Sequence, residues 1–112
     1  MPKYMILGKY SAAGVAGVKK DGFAKREAAA RALGDSLGGT TTLWSWLRSS
    51  TWDFMAIGDY PSADGAIALG LIGRPTGAFE AMEIIEMLDS SELDRIAAAA
   101  NKATYQPPGT LA

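Results

Sequence analysis

The feature that most constrains this fold is residues 43–60, LWSWLRSSTWDFMAIGDY, which hold all three tryptophans of the chain. Two runs rich in aromatic and aliphatic residues flank the polar break at residues 48–51, and this is the pattern of a β-hairpin. Aromatic side chains fit a pleated, half-buried surface and bury large apolar areas. We therefore predict paired strands over residues 40–48 and 52–60, at the centre of a sheet rather than at its margin.

The rest of the chain predicts two further strands and four helices. The strands are expected over residues 4–10 and 77–88, with a bulge or strand end near Glu83. The helices are expected over residues 12–20, 23–37, 62–73 and 90–102. In the second helix, Ala29, Leu33 and Leu37 mark one apolar stripe, and Asp89 with Glu92 has the spacing of a capping box before the last helix. The order β-α-β-β-α-β plus a terminal helix predicts an α+β, ferredoxin-like fold with an antiparallel sheet and helices on one face.

Both faces of the predicted strands carry large apolar side chains. In the hairpin, Leu43 and Leu47 alternate with Trp44 and Trp46. Helices on one side leave the second face bare, and its apolar area would exceed what soluble monomers usually expose. We expect a homodimer, or a higher oligomer, that packs sheet against sheet about a two-fold axis. The alternative is that the C-terminal helix folds back over the face of its own chain.

Composition excludes several classes of site. The 112 residues suit one domain over residues 1–112, and the formal charge of −1 gives no footprint for nucleic acid or an anionic membrane. The absence of cysteine and histidine removes disulfides, thiolates, histidine metal ligands and the usual general base. We expect no metal and no cofactor. Residues 1–9 lack the apolar core of a signal peptide, so we expect a cytoplasmic protein.

Four segments of the chain carry a family resemblance. They are Met1–Tyr4, Leu7–Ser11, Lys25–Ala29 leading into Leu37–Gly39, and Tyr105–Gly109. Together they resemble the GYD-domain family over nearly the whole chain. The resemblance implies a ferredoxin-like subunit in a dimeric α+β barrel. It implies no particular reaction.

The naming motif of that family is altered in this chain. Where the family has glycine, a variable residue, tyrosine and aspartate at the start of the third strand, this chain has Ser50, Thr51, Trp52 and Asp53. The aspartate is kept, but the phenol is missing. A role that needs a hydroxyl at this point is therefore in doubt, whereas a role in stacking or pocket shape is not.

Asp53 and Arg48 are the candidate catalytic residues. A carboxylate at the start of an apolar strand can have a shifted pKa and serve as an acid or base. Arg48 can hold a carboxylate or enolate group of a ligand by a bidentate bond. The structural alternative is that Asp53 bonds backbone N–H groups of the turn or pairs with Arg48.

Five aromatic residues are the candidate ligand-binding residues: Tyr10, Trp44, Trp46, Trp52 and Tyr60. Aromatic side chains with few polar groups are the usual lining of small-molecule sites. The competing interpretation of each is packing in the core or in the dimer interface.

Two functions follow from these residues. The first is binding of a small aromatic or apolar organic molecule between sheet and helices, with a cofactor-independent monooxygenase- or isomerase-like activity by analogy with similar dimeric barrels. The alternative is a non-catalytic metabolite-binding or assembly protein, which the altered motif and the lack of histidine favour.

Overall fold

The computed structural model describes residues 1–111, which form a four-stranded antiparallel sheet and four α-helices. The strands are β1 (Lys3–Tyr10), β2 (Thr40–Trp46), β3 (Phe54–Asp59) and β4 (Phe79–Met87). The helices are α1 (Ala12–Asp21), α2 (Phe23–Ser36), α3 (Ala63–Gly73) and α4 (Ser90–Ala100), and a 3-10 turn, Arg74–Thr76, follows α3. The prediction of an α+β fold with an antiparallel sheet is confirmed.

The predicted hairpin exists, but its place in the sheet was predicted wrongly. β2 and β3 pair antiparallel, with Trp46 opposite Phe54, and the loop between them covers residues 47–53. The strand order is β2-β3-β1-β4, so β3 is an inner strand and β2 is an edge. Trp44 packs across one face onto Phe54, with ring centroids 4.7 Å apart and planes 8° from parallel. An aromatic residue on β2 can therefore pack against a ring of the one neighbouring strand, and this is possible even though β2 is an edge strand.

The two faces of the sheet differ sharply in burial. Along β1, Tyr4, Ile6 and Tyr10 are buried, and they share a cluster with Val18 of α1 and Ala66 of α3. This is the helix face. The opposite side, here called the back face, carries residues that the strand registers bring side by side: Met5, Leu7, Leu43, Met55, Ile57 and Ile85. Within residues 1–111 no helix covers this face, and its residues Leu43 and Ile85 stay 44% and 38% exposed.

Local signals account for the helix ends. The Ser11 side chain accepts a hydrogen bond from the Gly14 N–H at the start of α1. Gly22, with φ of 99°, adopts a backbone conformation that favours glycine and separates α1 from α2. Asp89 and Glu92 form the predicted capping box of α4.

Two details of the sequence prediction are wrong. Ala29 is exposed, and the residue that turns inward at this level of α2 is Ala30. The pairing of β1 with β4 is regular at Glu83, and the irregularity lies between Lys9 and Tyr10, where Glu80 is the extra residue of β4.

α4 lies apart from the sheet. It has no buried residue, and Leu93 is 52% exposed. The alternative that this helix covers the back face of its own chain is therefore not what the structure shows. Beyond it, residues 101–111 are exposed, and residues 104–111 form no helix. No helix within residues 1–111 combines the length and the apolar character that crossing a membrane requires.

The approach of α1 to the sheet predicts opposite effects for two glycines. A methyl group at Gly14 would overlap the carbonyl oxygen of Ala78, whereas nothing lies within 4 Å of the same position at Gly17. Gly14→Ala should lower the free energy of unfolding by about 1–3 kcal/mol, because backbone must move. Gly17→Ala should raise it by up to about 1 kcal/mol through helix propensity. Urea unfolding of both variants checks this, and equal effects would contradict the proposed close packing of α1.

Candidate functional site

A cavity of about 450 Å³ lies between the helix face and the helices. The sheet contributes Ile6, Tyr10, Trp44, Phe54 and Met82 to its wall. The helices contribute, among others, Gly14 and Val18 of α1, Arg26 and Leu33 of α2, and Leu69 of α3. Its volume is within the range of about 300–1,000 Å³ typical of small-molecule sites.

Aromatic rings in mutual contact form the floor of this cavity. Trp44 stacks on Phe54, and Tyr10 lies 5.4 Å from Phe54 and 5.1 Å from Phe79 between ring centroids. Trp46 packs edge-on against Trp44 at 5.2 Å. Rings held on several sides by other rings present a fixed, flat surface, which suits a planar molecule.

The helices leave this space open because they present small residues to the rings. α1 lines the cavity with Ala13, Gly14 and Gly17, and α2 lines it with Ala30. These residues have at most a methyl group, so they leave space over Tyr10 and Phe54 between larger helix residues of the wall, such as Val18 and Leu33. The cavity lies where the small helix residues face the aromatic floor.

Polar groups on the cavity wall are mostly hydrogen-bond donors. The indole Nε1 of Trp44 is buried and has no hydrogen-bond partner within residues 1–111. Arg26 is half-buried on the wall, and its guanidinium makes no ion pair or hydrogen bond within the same range. Since buried donors are normally paired, these groups stand out in an otherwise apolar cavity.

Burial raises the pKa of the Tyr10 hydroxyl above its ordinary value; the nearby positive charge of Arg26 partly opposes this, and the Asp53 carboxylate adds a smaller increase. Burial likewise raises the pKa of Tyr60, with a smaller contribution from Asp35. Both phenols are therefore protonated at neutral pH, and each can donate a hydrogen bond.

Among the predicted ligand-binding residues, Tyr10, Trp44 and Tyr60 line the cavity. Trp46 does not line it but supports Trp44 from the side, and Phe23 of α2 packs edge-on against it at 5.0 Å. Trp52 lies in the loop before β3, half-buried and away from the cavity. The structure thus brings together three of the five aromatic residues at one wall.

The Asp53 carboxylate binds the backbone rather than facing the cavity. Its Oδ2 accepts a hydrogen bond of 2.8 Å from the N–H of Tyr10. The backbone of Asp53 also donates to the carbonyl of Gly8 and accepts from the N–H of Leu47. Asp53 therefore joins the ends of β1 and β2 to the start of β3, and it fixes the position of Tyr10. The catalytic role of Asp53 stays a prediction.

Arg48 is exposed in the loop between β2 and β3 and is not part of the cavity wall. The guanidinium on that wall belongs to Arg26, which sequence reasoning did not select. The missed signal was the spacing of Arg26, Ala30, Leu33 and Leu37, whose steps of four, three and four residues keep to one helix face. The predicted stripe from Ala29 takes two steps of four and drifts off that face.

One family model matches most of the chain: the model described as GYD domain matches residues 4–97. No curated protein and no solved structure matches the chain.

The bond from Tyr10 to Asp53 predicts how substitutions of Asp53 act. Asp53→Ala should lower the free energy of unfolding by about 1–3 kcal/mol, because it leaves a partly buried N–H without an acceptor. Asp53→Asn keeps an acceptor oxygen, so its free energy of unfolding should fall by less than that of Asp53→Ala. Chemical denaturation of both variants is the measurement.

The control for these variants is Asp59→Ala, which removes a half-exposed ion pair with Lys3. Its expected cost is about 0–1 kcal/mol. If Asp53→Ala costs no more than Asp59→Ala, the bond to Tyr10 is not a main support of this corner of the sheet.

Proposed function

The chain belongs to the GYD-domain family, and we propose that it binds a small aromatic or apolar organic molecule in the cavity between sheet and helices, as a homodimer. The single observation that carries this proposal is the cavity of about 450 Å³ with a floor of stacked aromatic rings. The rings of this floor expose apolar surface to the cavity, and covering apolar surface is favourable. A flat ligand would restore those contacts.

The back face supports the homodimer. Its apolar residues form a continuous patch across all four strands, and charged residues lie toward its margins, among them the ion pair of Lys3 with Asp59. An apolar centre with a polar rim is the anatomy of a protein interface. A second copy offers the same patch about a two-fold axis, so the two back faces are complementary by symmetry.

The exposed area of the chain is large enough for such a dimer. A compact monomer of 11.7 kDa exposes about 5,900 Å². This chain exposes 7464 Å². The excess of about 1,600 Å² for each subunit is in the range that obligate homodimers bury.

α4 contributes to that excess. Leu93 and Ile96, three residues apart, put exposed apolar side chains on neighbouring positions of a helix that has no buried residue. The Cα radius of gyration is 18.0 Å, whereas a compact chain of this length has about 13 Å. We propose that α4 packs on the second copy.

The proposed assembly is a dimeric α+β barrel of two ferredoxin-like subunits. The strand order β2-β3-β1-β4 and the placement of helices on one face support the ferredoxin-like arrangement. Two sheets that meet through their back faces would leave each cavity on the outer side, under its own helices. Each subunit then carries its own binding site.

A non-catalytic binding function is favoured over a monooxygenase- or isomerase-like one by one observation. Neither Asp53 nor Arg48, the two residues selected for proton transfer or charge, lines the cavity. The Asp53 carboxylate is engaged by the N–H of Tyr10. The wall supplies shape and hydrogen-bond donors, which suffice for binding.

Filling the cavity should abolish binding. Ala30→Phe places a ring into the space under α2, whereas Ala29→Phe, one residue earlier, places the same ring in solvent. Native mass spectrometry of protein purified from its own host should find a retained organic molecule in the wild type and in Ala29→Phe, and none in Ala30→Phe. No retained molecule in the wild type, or equal retention in both variants, would contradict the site.

A charge on the back face should dissociate the homodimer. Leu43→Glu and Ile85→Glu alter side chains that are exposed in a single chain, so the subunit should stay folded and the dimer should not form, because unpaired carboxylates would be buried. Sedimentation equilibrium at micromolar concentration should give twice 11.7 kDa for the wild type and 11.7 kDa for each variant.

The matched control is Leu71→Glu, on α3, where the leucine is 69% exposed and not on the back face. This variant should remain a dimer. A monomeric wild type would refute the dimer, and dimeric Leu43→Glu and Ile85→Glu variants would show that the copies meet through another surface.

A further inference from the structure

We propose that the molecule bound in the cavity is an aromatic carboxylic acid, whose carboxylate is held by the guanidinium of Arg26 and the hydroxyl of Tyr10. This inference rests on the proposed binding function and narrows it to a ligand class. The inference depends on which polar groups line the cavity wall and on which of these groups already have hydrogen-bond partners in the protein.

Arg26 is positioned to bind an anion. It lies on the first turns of α2, on the same helix face as Ala30 and Leu33, and all three line the cavity. Elsewhere on α2, the Arg31 guanidinium bonds both Glu27 and the carbonyl of Thr41. Arg26 has no comparable partner within residues 1–111, so its planar donors remain available for a carboxylate.

Tyr10 supplies a neutral donor on the same cavity wall. It is 8% exposed, and no hydrogen bond to the described part of the chain involves its hydroxyl. Burial raises the pKa of this hydroxyl, and the positive charge of Arg26 partly opposes that rise. Arg26 and Tyr10 thus line one cavity, and both can donate hydrogen bonds to a molecule in it.

The other polar groups of the wall also favour a ligand that accepts hydrogen bonds. The indole N–H of Trp44 also has no acceptor within residues 1–111, but it is buried beneath the cavity surface. The Thr76 hydroxyl is occupied, since it donates to the carbonyl of Gly73 and accepts from the N–H of Ala78. Asp21 is the carboxylate on the wall; it is exposed and forms no ion pair with Arg26. A wall of unpaired donors matches a group that only accepts hydrogen bonds, and an ionised carboxylate is such a group.

The aromatic floor defines the rest of the ligand. Trp44 and Phe54 stack nearly parallel, and Tyr10 and Phe79 stack beside them with planes 23° apart. A flat ring system can lie along these faces with its carboxylate directed toward Arg26. An aliphatic acid would gain the ion pair but lose the stacking, and a neutral aromatic molecule would gain only the stacking.

Two probes that differ in charge test the ligand class: 2-naphthoate and 2-naphthalenemethanol. Isothermal titration calorimetry with the full-length protein should show tighter binding of 2-naphthoate. Arg26→Met keeps an unbranched apolar stem without the guanidinium and should weaken 2-naphthoate binding about 10- to 100-fold, because a charged hydrogen-bond partner is lost. The affinity for 2-naphthalenemethanol should stay unchanged. Tyr10→Phe should weaken 2-naphthoate binding about 2- to 10-fold.

Lys25→Met is the matched control, because Lys25 precedes Arg26 on α2, is exposed and does not line the cavity. It should leave both affinities unchanged. An equal loss in Lys25→Met and Arg26→Met would show a general charge effect and would overturn the proposal. If Arg26→Met fails to fold by circular dichroism, Arg26→Lys is the second variant. It keeps the charge but loses the planar pair of donors, so it should bind 2-naphthoate more weakly while retaining part of the preference for it. An unchanged Kd of Arg26→Lys for 2-naphthoate would overturn the proposal.

The remaining outcomes separate this inference from the proposed function. Equal binding of both probes, unaffected by Arg26→Met, would overturn the ligand class and leave small-molecule binding in place. Binding of neither probe to the wild type would overturn both.

Discussion

The constraint on which the structure depends is that one sheet must hide two apolar faces. The strands alternate, so aromatic rings such as Trp44 and Phe54 lie on one side and aliphatic side chains such as Leu43 and Ile57 on the other. Helices α1 to α3 cover the aromatic side. Within residues 1–111 no helix covers the aliphatic side, and α4 has no buried residue. The subunit therefore has one side suited to enclosing a ligand and one suited to meeting another protein surface.

The helix face is covered without being filled, and this is a consequence of residue size. A tight core would need large side chains on the helices to match the rings of the sheet. Instead, Gly14 brings α1 against the backbone at Ala78, and Gly17 and Ala30 leave space beside it. Gly14 thus allows the close approach of α1, and Gly17 and Ala30 keep the cavity open. Close packing of backbone and an open cavity thus coexist within a few residues.

Much of this arrangement could be predicted from sequence, and the errors have physical causes. The alternation of Leu43 with Trp44 and Trp46 along β2 gave the correct faces, and the spacing of Asp89 and Glu92 placed the start of α4. Lateral position in the sheet was not predictable from aromatic content, because Trp44 on the edge strand β2 packs against Phe54 of the single neighbouring strand and against Trp46 of its own strand. Arg26 was missed because a charged residue on a helix is usually solvated, and only its spacing to Ala30 and Leu33 shows that it shares their face. The hydrogen bond between Asp53 and Tyr10 joins residues far apart in the sequence, and local sequence patterns do not predict such a contact.

The altered family motif can be interpreted in the light of that contact. Ser50 and Trp52 stand where the family has glycine and tyrosine, and both lie in the loop between β2 and β3, outside the cavity. The retained aspartate, Asp53, bonds the N–H of Tyr10 and fixes β1 where its last ring enters the cavity wall. The motif therefore acts on the site through backbone geometry, by positioning Tyr10. That role needs a carboxylate or amide oxygen at residue 53 and no phenol at residue 52, so the loss of the tyrosine leaves the donors on the cavity wall, Arg26 and Tyr10, where they are.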